Sequence, residues 1–520
     1  MGGHEVKGLS GKDTLKRSGM VMMSRNSVVL VGVVGVWLWC TMQQVGAGSN
    51  ESLLAMPVGT SMSGPNFDIL QAKSDADAII KEAFSSSIVY DKLAYMTDTF
   101  GPRFSGSSAL ERALDWAKDA IQKDGLTVYE EPVKIPSWVR GQEYATLLSP
   151  RVKNLRIAGL GGSVGTPNGK ALVAKALVVS TFEELEKRNK EVEGKILVFN
   201  VEFVNYAATV QYRYNGPAIA EKLGAVAVLV RSIAPFGMQT IHTGAMNVAG
   251  IPAATITLED AKMFARMQAR NQDVVIELYM EAHTLPDQSS RNLIIELKGS
   301  EKPEELVLFG GHMDSWDIAD GAMDDGGGAF VSWEAIRLIT KLGLKPKRTL
   351  RAILFVNEEN GYRGAIQYAR DHAHEANLTS VAFESDAGTF TPEGVSFSGS
   401  KAARAILTDL GQTLLAEIGS GNVTGEGYGE DVAPVVEQGV PGGSLVTLDV
   451  RVGDLSNNPC RGFGSGTEKG GSFLTSAYFW YHHTEADTID KLSPEQLQHC
   501  AATLAVWTYS IANLDSLLPR

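Results

Sequence analysis

The chain has 520 residues, 44% hydrophobic and 21% charged, a balance that suits two or three domains with substantial cores and excludes a chain dominated by disorder. Its net charge of −13 argues against a nucleic-acid-binding surface, because phosphate backbones attract the opposite sign. With 3 cysteines it is not a cysteine-stapled scaffold, and a thiolate-rich zinc site is excluded too.

The first predicted element is a leader. Lys12, Lys16, Arg17 and Arg25 precede the apolar run Val28 to Met42, and Gln43, Gln44 and Val45-Gly46-Ala47-Gly48 follow. That order is a basic n-region, an apolar h-region and a cleavage site, expected after Ala47. An uncleaved anchor is the competing reading, but a span needs roughly 20 apolar residues. Residues 1–47 are therefore set outside the fold, and secretion is expected, with lysosome, ER or Golgi along the same route. A membrane is a partner only if the leader stays uncleaved. In that compartment Asn50, Asn377 and Asn422 head N-glycosylation triplets, and Cys460 and Cys500 are left to form one disulfide.

Residues 48–149 open the main domain. Within them, 108–123 carries apolar positions at helical spacing and stops before Gly125, and Leu126 to Pro136 alternates like a strand. From 150 to 285 the texture changes to valine-rich strands (ALVVS, KILVFNVEFV, AVAVLV, AATITL) with short helical pieces between them. Few histidines or clustered acids occur there, so the stretch reads as a compact inserted module. Residues 286–520 alternate strand and helix: NLIIELKG, ELVLFGG, a helix over 327–342, TLRAILFV, a helix over 363–373, SVAFES, GGSLVTLD and a closing helix over 494–513. This pattern predicts an α/β fold with a mostly parallel mixed sheet sandwiched by helices.

Functional residues in such sheets sit past the carboxyl ends of the strands. ELVLFGG leads to His312, Asp314, Asp324 and Asp325; TLRAILFV leads to Glu358 and Glu359. SVAFES leads to Asp386, and the strand-like aromatic run Ala477 to Tyr481 leads to His482 and His483. Two His, one bridging Asp and two terminal carboxylates are the inventory of two zinc ions about 3.5–4 Å apart with a water between them. A further carboxylate must take the proton of that water, and the doublet Glu358-Glu359 allows both jobs. Each feature has a plainer reading: Asp324-Asp325 as a helix cap, Glu358-Glu359 as a solvated turn, and one of the two adjacent histidines as core. Four coincidences in chain order, each after a buried strand, favour the metal site. Asp317 and Asp320 have no role in it.

The succession H-x-D, D-D-G-x-G, N-E-E-x-G-x-x-G, D-A-G and H-T-x-x-D-T resembles the co-catalytic di-zinc metallopeptidases of the aminopeptidase Y and glutamate carboxypeptidase type. The resemblance covers roughly residues 75–518 and implies a zinc exopeptidase fold with an inserted protease-associated-like domain at 150–285. It implies that His312 and Asp386 hold one Zn2+, that Glu359 and His483 hold the other, and that Asp324 bridges the two. Glu358 becomes the general base, Asp314 the acid that orients His312, and the peptide bond Asp324-Asp325 is expected to be cis. Candidate substrate contacts are His482, where relatives carry Tyr or an aliphatic residue and which either donates to the developing oxyanion or simply packs, and Asp431, as a receiver of an ammonium group. The glycine-rich segment 461–472 is either a loop near the cleft or a linker. The glutamate carboxypeptidase branch further implies a homodimer acting on unblocked dipeptides or short peptides. A glutaminyl cyclase-like acyltransferase with one zinc and a receptor-like ectodomain without a working site share the fold and stand as alternatives.

Overall fold

The computed structural model describes residues 67–235, 237–448 and 478–520. The leader, Asn50, Cys460 and the 461–472 segment lie outside the described residues.

Strand alternation sorts apolar side chains onto both faces of two sheets. The first sheet runs, in spatial order, Thr127–Val139, His283–Leu297, Arg348–Phe355, Lys302–His312, Thr379–Glu384, Gly442–Leu448, Thr391–Ser398 and Asn422–Val423. Its centre is parallel, from Arg348–Phe355 through Lys302–His312 and Thr379–Glu384 to Gly442–Leu448. Val307 and Phe309 face one core, Leu308 the other, and all three are buried. A parallel sheet covered on both faces needs such continuous apolar runs. The second sheet follows the same logic. Its order is Lys153–Leu155, Glu143–Ser149, Val275–Met280, Leu172–Val179, Ile196–Phe199, Ala227–Arg231, Ala253–Ile256 and Ile157–Gly159, with the last strand but one and the three before it parallel. Ile196 and Val198 enter one core while Leu197 and Phe199 enter the other. The first strand of this sheet begins at Glu143, ahead of the change in texture at 150, because it pairs with Val275–Met280.

The helices form where their periodicity places them. Ser108–Lys123 starts on Ser107, whose Oγ accepts from the Leu110 amide at 3.2 Å. Gly327–Lys341, Arg363–Asp371 and Pro494–Ala512 follow the expected spans. The run before His482 differs from expectation: Tyr478–Tyr481 is a turn of helix, closed by the His482 amide on the Tyr478 carbonyl at 2.8 Å. Aromatic strand propensity yields here to packing, since Phe479 stacks on Tyr206 of the second unit with ring centroids 5.0 Å apart. No helix of the described residues is long and apolar enough to cross a membrane.

The two units are joined by the loop after His312. Trp316 leaves the first sheet and is buried in the second unit's core, with its ring centroid 4.9 Å from that of Phe104, which in turn meets Trp138 at 5.9 Å. Gly161 gives it room, because a Cβ there would sit 2.2 Å from the indole. Asp317, one residue on, pairs with Arg140. Cys500 lies buried in the closing helix, with its Sγ donating to the Phe390 carbonyl at 3.1 Å; its expected disulfide partner, Cys460, is outside the described residues. Asn377 and Asn422 are exposed.

Candidate metal centre

The carboxyl ends of Lys302–His312, Arg348–Phe355 and Thr379–Glu384 bring His312, Glu358, Glu359 and Asp386 together, and the turn after Tyr481 adds His483. Asp324 lies between them. Its Oδ1 is 3.4 Å from His312 Nε2, and its Oδ2 is 3.4 Å from His483 Nε2. One carboxylate thus faces two imidazoles with different oxygens. Ligands about 2.0–2.1 Å from a tetrahedral zinc stand roughly 3.4 Å from one another, so the separations suit an ion on each side. Asp386 Oδ1 is 3.8 Å from His312 Nε2, while Glu359 Oε2 is 2.9 Å from His483 Nε2.

His312 Nε2, Asp324 Oδ2 and Glu359 Oε2 are buried without a hydrogen-bond partner. Buried polar atoms are satisfied as a rule, so three orphans converging on two points fit a pair of cations. The charge balance agrees. Burial, together with neighbouring carboxylates, pushes Glu358 and Glu359 well above the ordinary carboxylate range and Asp386 up to about 7. Burial opposes a charge on His312, yet Asp324, Asp386 and Glu358 around it raise its affinity for a proton well above normal. This many acids share one site in ionised form only with positive charge among them.

The supporting contacts explain why the ligands point inward. His312 Nδ1 lies 2.9 Å from the carbonyl of Asp314, which leaves Nε2 for the ion. The expected partner, the Asp314 carboxylate, stays 3.8 Å from Nδ1. It accepts instead from the amides of Glu358 and Glu359 at 3.2 and 3.4 Å and from Ser105 Oγ at 2.9 Å. Asp314 therefore fixes the acid turn rather than the imidazole ring. Glu359 Oε1 accepts from the Trp316 amide at 3.2 Å, freeing Oε2 to face His483. Glu358 has Oε2 3.9 Å from His312 Nε2.

The adjacent acids divide their work. Across the cis bond Asp324-Asp325, Asp324 faces the centre. Asp325 lies within ligand reach of His312 and Asp386, but its oxygens accept from the amides of His312 and Gly328 at 3.1 and 3.0 Å, so it caps the helix beneath. Asp487 holds the same segment from the far side, accepting from the amides of Met323 and Asp324 at 2.7 and 3.0 Å. Burial and the Asp324 charge raise Asp487 to about 7. Arg103, fully buried, donates to the carbonyls of Met313 and Gly321 at 2.8 Å each and to that of Asp320. Tyr478 donates to Asp386 Oδ1 at 3.2 Å.

Of the candidate substrate residues, His482 stacks on His483 with centroids 3.7 Å apart and has Nε2 3.5 Å from Asp324 Oδ2. Asp431 is fully buried, with neither oxygen hydrogen-bonded. Burial, reinforced by Asp314, Asp386 and Glu430, raises it well above its usual value.

The sequence reading missed the contribution of the second unit. The loop after Ala227–Arg231 forms a bridge between His242 and Thr484, and the Thr243 amide donates to the His483 carbonyl at 2.9 Å. Arg213 donates to the carbonyls of Thr243 and Ala245 at 2.9 and 3.2 Å, and its Nη1 reaches within 3.5 Å of His483 Nδ1. Gly244 makes way for it, since a Cβ there would lie 2.2 Å from the guanidinium. Burial, and then the Arg213 charge, hold His242 and His483 well below the usual histidine range. Asp487 was visible in H-T-x-x-D-T; nothing local marks His242 or Arg213.

Residues 292–508 match the profile of peptidase family M28. Carboxypeptidase Q of Homo sapiens is 44% identical over 436 residues, spanning 83% of this chain and 86% of that one. Carboxypeptidase Q of Xenopus laevis is also 44% identical, over 83% of this chain and 87% of its own. Among solved structures, a peptidase M28 precursor from Shewanella amazonensis SB2B is similar at a TM-score of 0.78 and 32% identity, covering 87% of this chain and 99% of that one. BSAP, a zinc aminopeptidase from Bacillus subtilis, shares the fold at a TM-score of 0.60 and 19% identity over 83% of this chain and 98% of its own.

Proposed function

The chain belongs to peptidase family M28 and is a metallo-exopeptidase, and from that premise we propose that it hydrolyses unblocked dipeptides or short peptides with two Zn2+ per chain. The observation that carries the reading is Asp324, whose two oxygens face His312 and His483 at 3.4 Å each. His312, Asp324 and Asp386 hold one ion; Asp324, Glu359 and His483 hold the other. Two Zn2+ held by these residues would supply Lewis-acid polarisation of the scissile carbonyl and would lower the pKa of a water bound there. Glu358 accepts that water's proton and passes it to the leaving amine. Its place beside His312, on a turn fixed by Asp314, suits both transfers. His482, stacked on His483 and close to Asp324, lines the cleft beside the centre. Asp431, buried without a hydrogen bond, receives the substrate's ammonium group.

The name of the carboxypeptidase Q relatives supports exopeptidase action at a free carboxyl end. Secretion, N-glycosylation and a homodimer complete the proposal; exposed Asn377 and Asn422 are compatible with modification. The test is a panel of free, N-blocked and C-amidated dipeptides on the wild type and on Glu358→Ala. Turnover is expected to fall by on the order of 10²–10⁴ in the variant, with metal content staying at two ions per chain. Undiminished turnover, or metal-free protein from preparations supplied with zinc, sinks the reading.

A further inference from the structure

We infer that His242, carried to the centre by the second sheet's unit, binds the free terminal carboxylate of the peptide together with His482. The inference rests on the exopeptidase reading above and deepens it. His242 is 1% exposed, and neither of its ring nitrogens has a hydrogen-bond partner. His482 Nδ1 is buried and unpartnered as well. Native proteins satisfy buried polar groups almost without exception, so three such nitrogens in one corner mark a place where a ligand completes the bonding. Ring nitrogens of His242, His482 and His483 lie within 4.8 Å of one another, which sets this corner directly beside the Glu359–His483 pair.

Two occupants have matching chemistry, a carboxylate and a further metal ion. Arg213 decides between them. Its guanidinium, with Nη1 3.5 Å from His483 Nδ1, fixes a positive charge beside the three rings, which repels a cation and attracts an anion. His483 Nε2 is also already directed at Asp324 and Glu359. Each imidazole can present an N–H to a carboxylate oxygen, and the two together hold both oxygens.

Distance limits which carboxylate fits. A peptide advances about 3.8 Å per residue, so a carboxylate held beside the Glu359–His483 pair belongs to the residue immediately after the scissile bond. The corner accordingly selects substrates with one residue beyond that bond and excludes longer ones. In a dipeptide the ammonium end then points away from the histidines, toward Asp431.

The experiment compares a free dipeptide with its C-terminal amide on the full-length, zinc-loaded enzyme and on His242→Asn. The wild type is expected to favour the free dipeptide through KM, and the variant to raise KM for it about tenfold while leaving kcat and the amide nearly unchanged. Product inhibition gives a second readout on the wild type, where the released amino acid should inhibit more strongly than its amide. An equal loss on both substrates, an unchanged ratio, equal inhibition by acid and amide, or one metal ion fewer in His242→Asn overturns the inference. Failure of the wild type to cleave either dipeptide defeats the parent reading instead; cleavage of both with equal KM defeats only the role of His242.

Discussion

The two sheets are built alike and loaded differently. Each has four adjacent parallel strands, and the loop after Ala227–Arg231 brings the second sheet's unit to the centre at the carboxyl ends of the first. At the edge of the first sheet stand His312, Glu358, Glu359 and Asp386, with buried atoms left for an ion to satisfy. At the edge of the second, the buried Ser232, Thr255 and Arg231 are satisfied largely by carbonyls and by Asn200 and Glu202. The topology of an open parallel sheet provides a location for chemistry; the side chains decide whether one is used.

Separating stability from metal binding sharpens that contrast. Leu229, fully buried in the second sheet, should cost about 2–5 kcal/mol when cut to Ala, read by denaturant unfolding, while the metal content of the folded protein stays at two. A loss of metal in the folded variant would erase the distinction between the sheets. Asp487→Ala works in the opposite direction. It frees the amides of Met323 and Asp324, and metal affinity should fall by roughly 10–100-fold, measured by competition with a chelator, with a smaller change in unfolding. The smallest effect lies away from both edges. Burial opposes the charge on His372, but hydrogen bonds to Glu131 and Glu375 outweigh it and lift its pKa to about 9 from the ordinary 6.5. A raised value means that the stabilisation is complete below about pH 6.5 and is lost as pH rises through about 9. His372→Gln should therefore destabilise the protein at pH 6 and differ little from the wild type near pH 10, in parallel thermal unfolding scans.

How much of this was legible in the sequence depended on range. The helix at Ser108–Lys123 and the strand before His312 follow from local periodicity, so both were readable. The acids after buried strands were readable for the same reason, since strand and loop adjoin in the chain. The split between Asp324 and Asp325 was not, because either residue can cap a helix and only the contact with Gly328 assigns that task. Asp314 resembled an orienting partner for His312, but its carboxylate turns to amides more than 40 residues away. Tyr478–Tyr481 misled outright, as strand-forming residues wound into a helical turn against Tyr206. His242 and Arg213 were invisible because what makes them important is proximity to His483, some 240 and 270 residues further along the chain, and no spacing rule spans that distance.

Trp316 has a consequence for anyone who would graft this architecture. The indole belongs to the metal loop by sequence and to the second unit's interior by packing. Residues 143–280 are thus no detachable cassette: excising them would expose Trp316, Phe104 and Trp138 and pull on the loop whose Trp316 amide aims Glu359. A chimera that imports this unit from a relative has to import a matching tryptophan seat, with Gly161 as its floor. For the same reason, substitutions at these four positions should travel through descent as a linked set, inherited together or not at all.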